Sequence, residues 1–158
     1  MNEQDERFLR LAIDASRSGM QRGDGGPFGC VIVKDGTVVG SGNNRVTSTN
    51  DPTAHAEVVA IRDACKNLGD FQLAGCTIYT SCEPCPMCLG AIYWARPDRI
   101  VFAATREDAA EAGFDDQLIY DELPLPPEQR KYPMERMMRE EAKEVFKAWI
   151  AMEGKVKY

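Results

Sequence analysis

The chain contains one histidine. It lies in Pro52-Thr53-Ala54-His55-Ala56-Glu57, and downstream comes Ser81-Cys82-Glu83-Pro84-Cys85-Pro86-Met87-Cys88. A neutral imidazole and two thiolates at C-x-x-C spacing fill three corners of a zinc tetrahedron and leave the fourth for water, which is the arrangement of a catalytic site rather than a closed structural one. Cys85 and Cys88 are three positions apart, so the opening turn of a helix directs both sulfurs to one side. There the exposed amides and the helix dipole favour thiolate over thiol. Glu57, two residues past the histidine, is placed to carry a proton between a metal-polarised water and a substrate. These residues predict a zinc hydrolase in which His55, Cys85 and Cys88 hold one zinc ion and Glu57 handles protons.

Two other metal arrangements use the same strings. Cys82, Cys85 and Cys88 form a C-x-x-C-x-x-C run, but an iron–sulfur motif of the bacterial type would continue with a cysteine where Ile92 stands. A closed zinc site with Cys82 as fourth ligand needs that residue to reach back from ahead of the helix. Cys30, Cys65 and Cys76 read as core residues.

The elements that position these groups follow from hydrophobic spacing. Phe8, Leu11, Ala12 and Ala15 share one face of a helix predicted over residues 5–18, ending at Gly19. Residues 29–34 and 37–40 read as strands of a hairpin joined by Asp35-Gly36, a type I′ turn pair. Thr53 is a candidate cap for a helix over 54–66 bearing Val58, Ile61 and Cys65. Residues 76–80 and 99–104 read as strands, and Pro86 opens an apolar helix through Ala95. A short helix is predicted over 115–122, then the breaker Leu123-Pro124-Leu125-Pro126-Pro127. Met134, Met137, Met138, Ala142, Val145, Phe146, Trp149 and Ile150 mark a long helical stripe ending near Glu153. This order predicts an α/β domain whose central sheet is covered on both faces.

At 158 residues and 44% hydrophobic content, one globular domain with a sizeable core is expected over 1–158. The net charge of −6 disfavours nucleic acid and anionic membrane as partners. No apolar run approaches the ~20 residues of a membrane span, and the start of the chain is acidic, so neither signal peptide nor transmembrane helix is expected. The cysteine clustering favours metal binding in a reducing compartment, and the cytoplasm is the expected location.

His55-Ala56-Glu57 with Pro84-Cys85-x-x-Cys88 resembles the H-x-E…P-C-x-x-C signature of zinc-dependent nucleobase deaminases. Gly25-Gly26-Pro27-Phe28-Gly29, Asn50 through Glu57, Ser81 through Ala95, Ala112-Gly113-Phe114-Asp115-Asp116 and the terminal Lys157-Tyr158 resemble the bacterial guanine deaminases. The likeness runs from about Phe8 to Tyr158. It implies a three-layer α/β/α cytidine-deaminase-like fold with a central mixed sheet. It also implies one zinc per subunit on His55, Cys85 and Cys88, and hydrolytic deamination of guanine to xanthine and ammonia. In that scheme an activated water attacks the amino-bearing ring carbon while Glu57 shuttles protons. Substrate binding falls to Phe28, Asn44, the Ala56 amide and Trp94, and Asp116 and Tyr158 assist proton movement and close the site. The resemblance further implies a homodimer in which a segment of about 134–158 is exchanged between subunits.

The nearest competing activities on such a fold are guanosine deamination and deamination of tRNA or adenine. The acidic side chains at 107, 108, 111, 115, 116, 121 and 122 weigh against a tRNA partner. From a different class, a non-catalytic zinc-stabilised binding protein would have no need of Glu57 beside an open coordination position.

Overall fold

The computed structural model describes residues 2–158. Asp35 and Gly36 both take positive φ, 49° and 74°, as a primed hairpin turn requires, and they join β1 (Gly29–Lys34) to β2 (Thr37–Asn43). β1 pairs antiparallel with β2 and with β3 (Cys76–Cys82), while β3 pairs parallel with β4 (Arg99–Ala104), giving the order β2-β1-β3-β4. A parallel pair cannot be closed by a tight turn, and α4 (Pro86–Ala95) is the crossover between β3 and β4.

The two-residue alternation of the strands sorts their side chains between the faces. Cys30, Ile32, Cys76 and Ile78 meet Ala56, Ala60, Ala64, Ile92 and Ala95, which belong to α3 (Ala56–Leu68) and α4. Val31, Val33 and Tyr79 meet Phe8 and Ala12 of α1 (Glu3–Arg22). The result is the expected three-layer α/β/α arrangement with a mixed sheet. Cys30 and Cys76 are core residues and Cys65 packs against them; all six cysteines are free thiols.

Several boundaries differ from the sequence reading. α1 does not stop at Gly19 but continues to Arg22, because the missing side chain at Gly19 leaves room for Asn43, whose Cβ would stand 2.9 Å from a Cβ placed there. β2 extends past Gly40 to Asn43 through pairing of Gly42 with Cys30 and of Asn43 with Gly29. α3 begins after His55 and not with a Thr53 cap, since the Thr53 amide and hydroxyl both donate to Asp51 Oδ1, at 2.8 and 2.7 Å. Two short helices escaped the pattern: α2 (Val46–Thr49) and α5 (Arg106–Glu111).

The chain forms two compact units, one ending at Asp116 and one spanning Gln117–Tyr158. The second contains α6 (Gln117–Glu122), a 3-10 turn at Pro127–Gln129 and α7 (Arg139–Ala151). The long stripe predicted from Met134 is helical only from Arg139, because Met138 has left-handed backbone, φ 52° and ψ 34°, through which a helix cannot propagate. Val145, Phe146 and Ile150 of α7 remain about 70% exposed. No helix among the described residues is long and apolar enough to cross a membrane.

The start of α1 is fastened to the sheet by a buried acid. Asp5 accepts from Arg99 Nη1 and Nη2 at 2.9 and 2.8 Å and from the Tyr79 hydroxyl at 2.8 Å, and it completes a capping box with Asn2. The Arg99 bonds, followed by the Tyr79 bond, lower its pKa from 3.8 to about 2. A depressed carboxyl pKa stabilises the fold above the unfolded value, and that stability is lost as pH falls through the folded one. Asp5→Asn is therefore expected to lower Tm at neutral pH and to flatten the fall of Tm between about pH 4 and pH 2. Thermal melts of both proteins across that window check this, and parallel acid limbs would contradict it.

Candidate metal centre and substrate site

His55 and Cys85 occupy equivalent positions on different helices. Each is the extended residue immediately before a first turn, His55 at φ −68° and ψ 156° ahead of α3, and Cys85 at φ −64° and ψ 167° ahead of α4. Pro86 at the first helical position fits because its missing N–H would have had no intrahelical partner. Cys88 lies on the buried side of α4, with Ile92 and Ala95. The two helix starts converge: His55 Nδ1 stands 3.6 Å from Cys85 Sγ and 3.5 Å from Cys88 Sγ.

This geometry fits zinc. Around a tetrahedral ion with Zn–S of about 2.3 Å and Zn–N of about 2.0 Å, the N···S edge is about 3.5 Å. His55, Cys85 and Cys88 are the group able to hold an ion together, without Cys82. The Cys82 thiol instead donates to the Thr105 carbonyl at 3.4 Å, and burial raises its pKa to about 11. A closed four-ligand site and an iron–sulfur cluster both lose their extra ligand on this point.

The electrostatics of the three residues suit a bound cation. The Cys85 thiol is lowered to about 4, first by its hydrogen bond with Cys88 and then, against the cost of burial, by His55; Cys88 is pushed up as the proton-bearing partner. A bound divalent ion removes both protons. His55 is raised, chiefly by its bond with Cys85. Glu57 is 6% exposed, and burial raises its pKa, so a proton resides there more readily than on a surface glutamate. Its Oε2 accepts from Cys88 at 3.4 Å and its Oε1 from the Thr80 hydroxyl at 3.4 Å.

The other predicted residues have these settings. Asn44 is buried just after β2, and the next amide, Arg45 N–H, donates to the Ala54 carbonyl beside His55 at 2.9 Å. Ala56 is fully buried at the first position of α3, where helix geometry leaves its N–H unused by the helix. Phe28 meets Phe114 edge-on, with centroids 4.9 Å apart and planes at 87°. Asp116 is half-buried. Its pKa is raised mainly by burial, opposed by Arg106 and reinforced by charge on Cys85, which places it within electrostatic reach of the metal ligands.

Two predicted residues are largely exposed. Trp94 is 64% exposed, about 120° around α4 from Cys88. Tyr158 ends the second unit at 71% exposure. Sequence reasoning missed Thr80, Asn43 and Phe114. Thr80 could have been found, since it shares the even-numbered face of β3 with Ile78 and so points toward α3. A cavity of about 330 Å³ lined by Phe28, Phe114, Cys82 and Ala104 lies on the α1 side and does not include the metal ligands.

Comparison with known proteins agrees with this geometry. A family model described as the cytidine and deoxycytidylate deaminase zinc-binding region matches residues 2–104. Guanine deaminase of Bacillus subtilis (strain 168) is 55% identical over 153 residues, covering 97% of this chain and 98% of that protein. An X-ray structure of guanine deaminase from Bacillus subtilis superposes with a TM-score of 0.95 at 54% identity, covering 100% of this chain and 99% of that one. A tRNA-specific adenosine deaminase of Aquifex aeolicus (strain VF5) is 38% identical over 99 residues, 63% of this chain and 65% of that protein.

Zinc binding and stability are linked through the three ligands. At free zinc about 100-fold above Kd the stabilisation is about 2.7 kcal/mol, on the order of 5–10 °C in Tm for a domain of this size. Calorimetry of the metal-stripped protein with and without zinc should show that rise, and Cys85→Ala should remove most of it. An unchanged rise in the variant would exclude Cys85 as a ligand.

Proposed function

This chain belongs to the cytidine and deoxycytidylate deaminase zinc-binding family, and we propose that within it the chain hydrolyses guanine to xanthine and ammonia. One observation carries the choice of substrate: identity to a guanine deaminase extends over 97% of the chain. The tRNA-specific adenosine deaminase of Aquifex aeolicus covers only 63% of it. The net charge of −6 adds to the case against a polyanionic partner.

Zinc, when bound by His55, Cys85 and Cys88, supplies Lewis acidity and a water of lowered pKa. The remaining steps belong to the chain. Glu57, fixed on one oxygen by Thr80 and raised by burial, would take one proton from the water and deliver it to a ring nitrogen, then carry the second proton, from the hydroxyl added to the ring carbon, to the departing amine. Water and guanine go in, and xanthine and ammonia come out, so no other reactant is needed. Asn44 and the Ala56 amide address the purine edge, and Phe28 packs on the ring. Asp116 assists proton movement.

Trp94 and Tyr158 complete the site in a homodimer whose 134–158 segment is exchanged. The exposed apolar side chains of α7 and the exposed Trp94 and Tyr93 on α4 support this reading, because surfaces of that kind are covered in stable assemblies. Six free thiols suit a reducing compartment, and the proposed location is the cytoplasm.

Zinc-loaded protein is expected to release ammonia from guanine in preference to guanosine, adenine, cytosine and cytidine. Glu57→Gln should keep its zinc while losing roughly 10²–10⁴-fold in kcat. Full activity in Glu57→Gln would overturn the proton-carrier role. Selective turnover of adenine would shift the reading to the second activity on this fold. Light scattering at micromolar concentration should give about twice the 17.6 kDa chain mass, and a single-chain mass would refute the exchanged dimer.

A further inference from the structure

We infer that Gly25 is a positioning residue that locks the Asn44 side chain with its NH₂ group outward, so that the site grips its ligand through a hydrogen-bond acceptor. The inference rests on the guanine reading for the identity of that ligand, and on geometry alone for the lock.

Asn44 is 6% exposed, and its polar atoms can be accounted for one at a time. Its backbone N–H donates to the Phe28 carbonyl at 3.0 Å. Its backbone carbonyl accepts from Asn43 Nδ2 at 3.1 Å, and the same Nδ2 donates to Asp24 Oδ2 at 3.0 Å. Its Oδ1 accepts from two main-chain amides, Gly26 N–H at 3.3 Å and Val46 N–H at 3.1 Å. Two donors converging on one atom require that atom to be oxygen, because the flipped amide would set NH₂ against N–H twice. That leaves Nδ2, which has no partner among the described residues. No sealed side-chain polar atom lacks a partner, so Nδ2 opens onto accessible space. The group offered to a ligand is thus donor-only.

Gly25 is what allows the lock to close. Its φ lies outside the left-handed region, so backbone conformation does not demand glycine there; space does. A Cβ at this position would collide with Asn44 Oδ1 and stand 2.7 Å from the Asn44 carbonyl oxygen. The second of these is main chain and cannot swing aside. The adjoining Gly26 faces the aromatic pair, with its imagined Cβ 3.1 Å from Phe114 and 3.2 Å from Phe28. The glycine pair therefore links the amide to the ring-packing residues, within one residue of the segment that leads to His55.

A donor-only group selects among ring edges. A ring nitrogen lone pair or a carbonyl oxygen satisfies Nδ2, whereas an exocyclic amino group opposes it and leaves a buried donor unpaired, the strongest form of discrimination a small site has. Guanine presents such acceptors on the edge away from the amino group it would lose.

The test uses the zinc-loaded full chain and three variants: Gly25→Ala, Asn44→Asp and the double. Gly25→Ala should retain one zinc per chain and raise KM for guanine roughly tenfold or more, with a smaller change in kcat. Asn44→Asp keeps an oxygen for the Gly26 and Val46 amides but turns an acceptor outward, so it should fold normally and lose roughly 30-fold or more in kcat/KM. The double variant should be no worse than the poorer single one. A KM within twofold of the parent in Gly25→Ala, or full activity in Asn44→Asp, overturns the inference. If Gly25→Ala loses zinc or cooperative melting, Asn44→Asp decides alone. The amide resonances of Gly26 and Val46 read the lock without turnover: they should shift in Gly25→Ala and stay hydrogen-bonded in Asn44→Asp, and unmoved resonances in Gly25→Ala refute it. Absence of ammonia release from guanine in the unsubstituted protein would refute the substrate reading, with those resonances still deciding the lock.

Discussion

Two helices must begin at the same point in space, and nearly every other feature of the first unit serves that requirement. His55 and Cys85 stand on extended backbone ahead of α3 and α4, with Cys88 one turn further on. The convergence crowds groups that would each be easier to keep apart: two thiols, an imidazole and a buried carboxyl. Protein alone resolves the crowding by holding protons unevenly, with Cys85 low, Cys88 high and Glu57 raised. A divalent cation resolves it more simply, by balancing two thiolates. The fold thus builds an electrostatic problem to which a metal ion is the answer.

The sheet supplies the rigidity that the convergence needs. β1 sits between β2 and β3, so that Cys30 faces Gly42 on one side and Thr80 on the other. Alternation then sends Thr80 to the face where α3 presents Glu57. The hairpin delivers Asn44 from the end of β2, and the parallel β3–β4 pair sets the α4 crossover that carries the thiols. Asn44 and the metal-ligand helices follow different strands, but those strands share one ladder of hydrogen bonds, which is how a small site is held to within a fraction of an ångström.

The metal ligands and Glu57 were legible because their chemistry restricts residue type: few residues other than histidine and cysteine supply soft donors, and their spacing is fixed by a helical turn. The Asp35-Gly36 turn and the alternating strands were legible for the same reason, since each rests on a local rule. What escaped depended on distant partners. Gly19 reads as a helix end until Asn43 is seen to occupy the space beside it. Thr53 reads as a cap until Asp51 takes its hydroxyl. Met134 through Met138 share a helical spacing, yet the left-handed backbone at Met138 keeps α7 from extending back over them. Phe114 sat within a string noted for its resemblance, but nothing local indicated that its ring would meet Phe28.

The clasp on Asp5 also sets an order of events. Tyr79 and Arg99 follow Asp5 by 74 and 94 positions. While the chain is still growing, α1 can form as a helix, but its first turn lacks the Arg99 part of its clasp until β4 has emerged. His55, Cys85 and Cys88 have all been made by then. The three residues of the cradle therefore all precede, in the chain, the strand whose arginine completes the clasp. Closure of the layer under α1 is thus tied to the latest of the strands that the clasp joins.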